Sequence, residues 1–160
     1  MVIEIKLSPG DVAYASTEAV ARFNYNRAKG NDASRGAAPT WVEQVAREIS
    51  GCLGEIAIAR WQDKFPFSLF EDRKKGDVGE FEVRTTAYQT GKLLIVPDDN
   101  PERKYLLVTL PSHYTALIHG WMYGYEAQVP EYFDHKMRMP VYAVTQDKLH
   151  PPEMLLHANI

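Results

Sequence analysis

Two capping boxes constrain the fold of this chain more than any other feature. Ser8-Pro9-Gly10-Asp11 and Thr40-Trp41-Val42-Glu43 each set a hydroxyl three residues before a carboxylate. That spacing lets side chains and backbone of a helix's first turn satisfy one another, and Pro9 suits the first helical position. The first box opens an apolar stripe of Val12, Ala19, Val20 and Phe23, with Gly30 as its stop. The second opens a longer stripe, Val42, Val45, Ala46, Ile49, Leu53, Ile56 and Ala57, running to about Gln62. Gly51 and Gly54 interrupt it, and each costs ~1 kcal/mol relative to alanine inside a helix. Close approach of the helix backbone to a neighbour such as a sheet is the simplest compensation. Glu55 follows at the edge of the apolar face, and the small polar stretch from Asn31 to Pro39 reads as a loop.

Strand patterns flank these helices. Ile3, Ile5 and Leu7 alternate before the first one. After Lys64 the period changes to short aromatic or β-branched runs at Phe65–Phe70, Phe81–Thr86, Leu93–Val96, Tyr105–Leu110, Ala116–Tyr123 and Val141–Thr145. Turn residues separate them at Lys75-Gly76, Asp98 to Pro101, Pro111-Ser112 and Pro130. The expected fold class is α/β (α+β), with two helices packed on a mixed β-sheet of five or more strands. No repeat or linker divides the 160 residues, so they read as one domain, 1–160.

Composition removes several function classes. A net charge of −3 excludes a uniformly basic nucleic-acid coat and leaves room for a local basic cleft. The single cysteine, Cys52, excludes an intrachain disulfide and a cysteine zinc cage. Cys52 itself reads as a small core residue. No apolar run reaches the ~20 residues a membrane helix needs, and a cytoplasmic setting is expected. His113, His119, His135, His150 and His157 lack metal-ligand spacing. Trp41, Trp61 and Trp121 are candidates for base stacking but suit a core or interface better.

The informative segment runs from Arg73 to Thr86. Glu82 and Arg84 are two apart on an expected strand, so both side chains leave one face while Val83 enters the core. A carboxylate that can hold a divalent cation, fixed beside a cation that can neutralise developing charge, suits phosphoryl chemistry. Asp77 lies at an odd offset from Glu82, which an unbroken strand would send to the opposite face. Gly76 and Gly79 permit a tight turn or bulge that lets Asp77 and Glu82 converge. Magnesium typically takes one or two carboxylates, several waters and substrate phosphate oxygens. Plainer readings stand beside these. Glu82 and Arg84 also fit an ion pair on a solvated face, Glu55 fits an exposed helix residue pairing with Arg60 or Gln62, and Arg73-Lys74-Lys75 fits a solvated turn. Asp98 and Asp99 read as a turn first and a second metal position a distant second.

Glu55 on a helix, Asp77 in a hairpin and Glu82-Val83-Arg84 together resemble the PD-(D/E)XK nuclease superfamily. The stretch from Gly51 to Ala57, the Glu82 to Thr86 strand and Gly120-Trp121-Met122-Tyr123-Gly124 look like a small phage-associated branch of it. The resemblance covers roughly residues 41 to 125. It implies a restriction-endonuclease-like core and a Mg²⁺- or Mn²⁺-dependent nuclease acting on DNA, with Glu55, Asp77, Glu82 and Arg84 as the catalytic set. Asp77, Glu82 and Glu55 would hold the metal, and Arg73, Lys74, Lys75, Thr85 and Lys92 would contact nucleic acid. Cutting both strands of a duplex often calls for a homodimer, and a phage-encoded chain would work in the host cytoplasm. Arginine stands where the family usually has lysine. A guanidinium stays charged and cannot act as a base, but it can clamp a phosphate or stabilise the phosphorane. Lys75 and Lys92 are alternative sources of an ammonium. The competing expectation is a catalytically weak or inactive module of the same fold, serving nucleic-acid binding or phage assembly. A third is an interaction domain in which the Asp77–Arg84 segment is an ordinary charged hairpin.

Overall fold

Both capping boxes close as their spacing demands. In the computed structural model, which describes residues 1–29, 40–64, 76–137 and 139–156, α1 (Pro9–Ala28) follows Ser8 and α2 (Trp41–Trp61) follows Thr40. Asp11 N–H donates to Ser8 Oγ at 3.1 Å while Ser8 N–H donates to Asp11 Oδ2 at 2.8 Å. Thr40 and Glu43 make the same reciprocal pair. Strand β1 (Ile3–Lys6) precedes α1. The later strands are β2 (Phe81–Thr86), β3 (Leu93–Ile95), β4 (Lys104–Ser112), β5 (Thr115–Tyr123) and β6 (Tyr142–Val144), with a single turn, α3 (Gly124–Ala127), after β5.

The protein is a mixed α+β fold, but its strands divide differently from the expected single sheet of five or more. Four form a sheet in the order β1-β5-β4-β2, and β3 pairs with β6 in a separate antiparallel ribbon. Within the large sheet only β2 and β4 are parallel. The reversal expected at Pro111-Ser112 lies two residues later, because β4 runs through Pro111 beside an irregularity in its pairing with β5. Proline lacks the ladder donor, and such an irregularity accommodates it. The Phe65–Phe70 strand and Gly30 fall outside the described residues.

Each face of the sheet has its own core. On one, α2 lies against the strands and α1 packs on α2, burying Leu53, Ile56, Phe81, Val83, Leu106, Val108 and Ile118. Covered on two sides, α2 is buried at every residue from Cys52 to Ala59. The stripe of α1 is narrower than expected: Asp11, Ala15 and Ala19 are buried and Val20 is 45% exposed. Small residues at this i, i+4 spacing let α1 approach α2 closely. On the other face the β3–β6 ribbon covers Tyr105, Leu107 and Met122.

Gly54 and Gly51 divide the role expected of them both. A Cβ at Gly54 would run into Thr85 Oγ1 and come within 3.0 Å of Thr85 Cβ, so α2 meets β2 backbone to side chain there. A Cβ at Gly51 would meet nothing within 4 Å. Among the described residues no helix is long and apolar enough to cross a membrane.

Candidate functional site

The turn before β2 brings Asp77 back alongside that strand. Gly76 and Gly79 take φ of 105° and 62°, values that side chains rarely tolerate. Val78 bridges antiparallel to Phe81, and Asp77 N–H donates to Phe81 C=O at 2.8 Å. Among the described residues β2 is an edge strand, with backbone donors that no described strand pairs. One of them, Val83 N–H, donates to Asp77 Oδ2 at 2.8 Å. The aspartate therefore sits on the outer rim of the sheet, between its two faces.

Glu55 and Glu82 approach that rim from opposite sides. Phe81, Val83 and Thr85 face α2, the helix that carries Glu55, while Glu82 and Arg84 point to the other face. Glu55 is 5% exposed and its two oxygens receive both terminal nitrogens of Arg22 on α1, at 2.5 Å for one of them. Burial nevertheless outweighs the guanidinium, and with the charge of Asp77 nearby it pushes the Glu55 carboxyl up to about 7. Arg22 is held firmly in its charged form by Glu55. The alternative of an exposed Glu55 pairing with Arg60 or Gln62 is not what the fold adopts; Arg60 donates to Asp11 instead. Glu82 is half-buried, and its carboxyl is raised by burial and by Asp77 against the opposing charges of Arg103 and Arg84. Asp77 is thus the acidic group whose charge reaches both others.

Three arginines define the electrostatics. Arg103 Nη1 donates to Glu82 Oε1 at 2.6 Å. Arg84 donates to Asp99 Oδ2 at 2.8 Å, and its guanidinium lies 5.1 Å from the centre of the Tyr105 ring. The same Asp99 oxygen accepts Val96 N–H, so Asp99 does cap a turn, as expected, and also anchors Arg84. Sequence reasoning missed Arg22 and Arg103. The first is 33 residues from its partner and the second 21, and no local pattern links them.

The proposed nucleic-acid contacts fare unevenly. Thr85 Oγ1 is buried against Gly54 and not directed to solvent. Lys92 is exposed just before β3, while Arg73, Lys74, Lys75 and His157 lie outside the described residues. Cys52 is fully buried, and its thiol, pushed up to about 12 by burial, is no nucleophile. His119 bonds Thr109 at 2.7 Å and His150 bonds Glu126 at 2.9 Å. Trp121 is buried with its indole N–H on Pro151 C=O; Trp41 is exposed at the start of α2.

A three-carboxylate metal cage does not fit this geometry. Among the described residues no three aspartate, glutamate, histidine or cysteine side chains are grouped to hold an ion, and Arg22 occupies both oxygens of Glu55. Asp77 lies close enough to Glu82 for its charge to act on the Glu82 carboxyl, and one or two carboxylates are what a magnesium ion usually takes from a protein. Comparison with known protein families, curated proteins and solved structures finds no match.

Proposed function

We propose that this protein is a divalent-metal-dependent phosphodiesterase acting on nucleic acid, DNA in the first instance, on a site of the PD-(D/E)XK kind. The observation that carries the reading is the position of Asp77 on the rim of β2, with its charge felt by both Glu55 and Glu82. Asp77 and Glu82 are the residues that would hold Mg²⁺ or Mn²⁺. Such an ion supplies Lewis acidity and a water of lowered pKa at neutral pH. Glu55, with both oxygens tied to Arg22, packs behind the pair and is not one of its ligands. Arg84 and Arg103 supply fixed positive charge beside the carboxylates, as a phosphodiester requires.

A second reading is a catalytically inactive module of the same architecture, for nucleic-acid binding or phage assembly. The pairing of Arg84 with Asp99 favours it, because a guanidinium committed to a turn carboxylate is less free to follow a phosphoryl group.

Calorimetric titration of Mg²⁺ and Mn²⁺ into wild type and Asp77→Asn, with single-stranded and duplex DNA cleavage on the same samples, separates the readings. Asparagine keeps an acceptor for Val83 N–H, so the turn should persist. Metal binding and cleavage that both disappear in the variant support the phosphodiesterase. A folded wild type that neither binds metal nor cuts supports the inactive module.

A further inference from the structure

The two edges of the sheet β1-β5-β4-β2 are finished differently. Along β2 the glycine turn occupies outer backbone groups: Asp77 accepts Val83 N–H, and Phe81 C=O accepts Asp77 N–H at 2.8 Å. Among the described residues nothing does so along β1. The register fixes which of its groups face outward. Ile3 lies opposite Ile118 and Ile5 opposite Ala116, and Leu7 N–H continues that row by donating to Tyr114 C=O at 2.9 Å. In an antiparallel ladder, residues that exchange bonds with a neighbouring strand alternate with residues that turn away from it. Ile3, Ile5 and Leu7 therefore bond to β5, while Glu4 and Lys6 turn their N–H and C=O outward.

An outward row of backbone groups is a template for another strand, and a lysine on the edge is a common block against it. Here a glutamate answers the lysine. Glu4 and Lys6 leave one face of the strand, exposed, and pair with each other at 2.7 Å. A two-fold axis beside β1 sets a second copy antiparallel to it. Bonding parity then allows only registers that put even-numbered residues opposite even-numbered ones. With Glu4 opposite Glu4, or Lys6 opposite Lys6, like charges meet. With Ile5 on the axis, Glu4 of each copy stands across from Lys6 of the other, and each such pair exchanges both of its backbone bonds. That register also sets Ile5 against Ile5 and Ile3 against Leu7, on the face where all three pack into the helical-layer core. One register thus matches charge with charge and apolar with apolar.

We infer that β1 is a self-pairing edge, to which a second copy of this chain adds its own β1 antiparallel, with Ile5 on the two-fold axis. Two four-stranded sheets become one across that seam. The contact is isologous, so each copy uses up its β1 edge and the assembly closes as a dimer. Asp77 and Glu82 stand at β2, the far edge of each sheet, and the inference does not rest on the phosphodiesterase reading.

The test is analytical ultracentrifugation of the full chain from micromolar to millimolar concentration, at low and high salt. The expected result is a reversible monomer–dimer equilibrium that weakens as salt rises. Glu4→Lys and Lys6→Glu each set like charges across the axis, and each should weaken the dimer about 10-fold or more. Both replace exposed side chains, so the fold should persist, which thermal unfolding checks. Mixed together, the two variants should associate with each other, because one edge then carries only lysine and the other only glutamate. Ile5→Cys reads the register. Opposed Cα atoms about 4.5 Å apart lie within reach of a disulfide, so oxidation should link two chains through position 5. Val2→Cys, which the register sets opposite Ser8, should not link, and Cys52 is buried in every variant. A wild type that stays monomeric throughout, reversals that leave the equilibrium unchanged, or a mixture that does not associate overturns the inference. So does an Ile5→Cys protein that still dimerises but cannot be linked.

Discussion

Arg22→Ala should lower unfolding stability by about 3–5 kcal/mol near pH 8, the cost of stranding one member of a buried ion pair. The pair joins α1 to α2 deep in the helical layer, with Glu55 only 5% exposed. Its pH dependence follows from the raised carboxyl. Glu55 moves from an ordinary 4.5 up to about 7 on folding, so between those values the folded protein holds a proton that the unfolded chain releases. Stability therefore falls as pH rises through that window, with Glu55 contributing on the order of 3 kcal/mol. Without Arg22 the carboxyl should rise further, and the variant should recover much of its loss at pH 5, where Glu55 is protonated. Urea denaturation of wild type and variant at pH 5 and pH 8 measures this directly. A loss under about 1 kcal/mol at both values would mean that water or rearrangement replaces the guanidinium. The apolar double variant Arg22→Met, Glu55→Leu should be far more stable than either single one, because no buried charge is left alone.

Gly54→Ala should destabilise by about 1–3 kcal/mol, although alanine is the better helix former by ~1 kcal/mol. Its new methyl would meet Thr85, a β-branched side chain on an edge strand with little rotamer freedom. Thr85→Ala should restore part of the loss by removing Oγ1 and Cγ2, and the coupling between the two substitutions is the signature of their contact. Gly51→Ala is the internal control. Nothing stands within 4 Å of its Cβ, so it should stabilise by up to ~1 kcal/mol. Equal effects at the two glycines would show that α2 and β2 do not meet at Gly54.

One sequence cue, glycine within a helix, thus covered two different situations. A helical pattern specifies which residues lack a side chain but not which of them faces a neighbour. Gly54 lies within the wholly buried 52–59 stretch and looks onto β2, whereas Gly51 lies outside it and is half-buried. The same limit applies to Glu55. Its place at the edge of an apolar stripe was legible, but its burial required α1 to close over it, and α1 brings the arginine that makes the burial tolerable.

The Asp77 turn was the most legible part of the site. Two glycines flanking an aspartate, four positions before the first residue of an alternating strand, encode the left-handed φ values and the return of Asp77 to β2. The strand alternation likewise put Glu82 and Arg84 on one face, opposite Val83. What alternation does not encode is the neighbour across the strand. The parallel pairing of β2 with β4 aligns Glu82 with Tyr105, and so brings Arg103 within reach of Glu82.

The sequence by itself determined the two capped helices, the glycine turn and the alternation of β2, because each is settled by hydrogen bonds and torsions among residues within a few positions of one another. The tertiary structure alone decided the split of the strands into sheet and ribbon, and the charged partners of Glu55, Glu82 and Arg84, which are Arg22, Arg103 and Asp99. Those pairings span 15, 21 and 33 residues. They depend on which faces the apolar cores press together, and a local pattern carries no record of that choice.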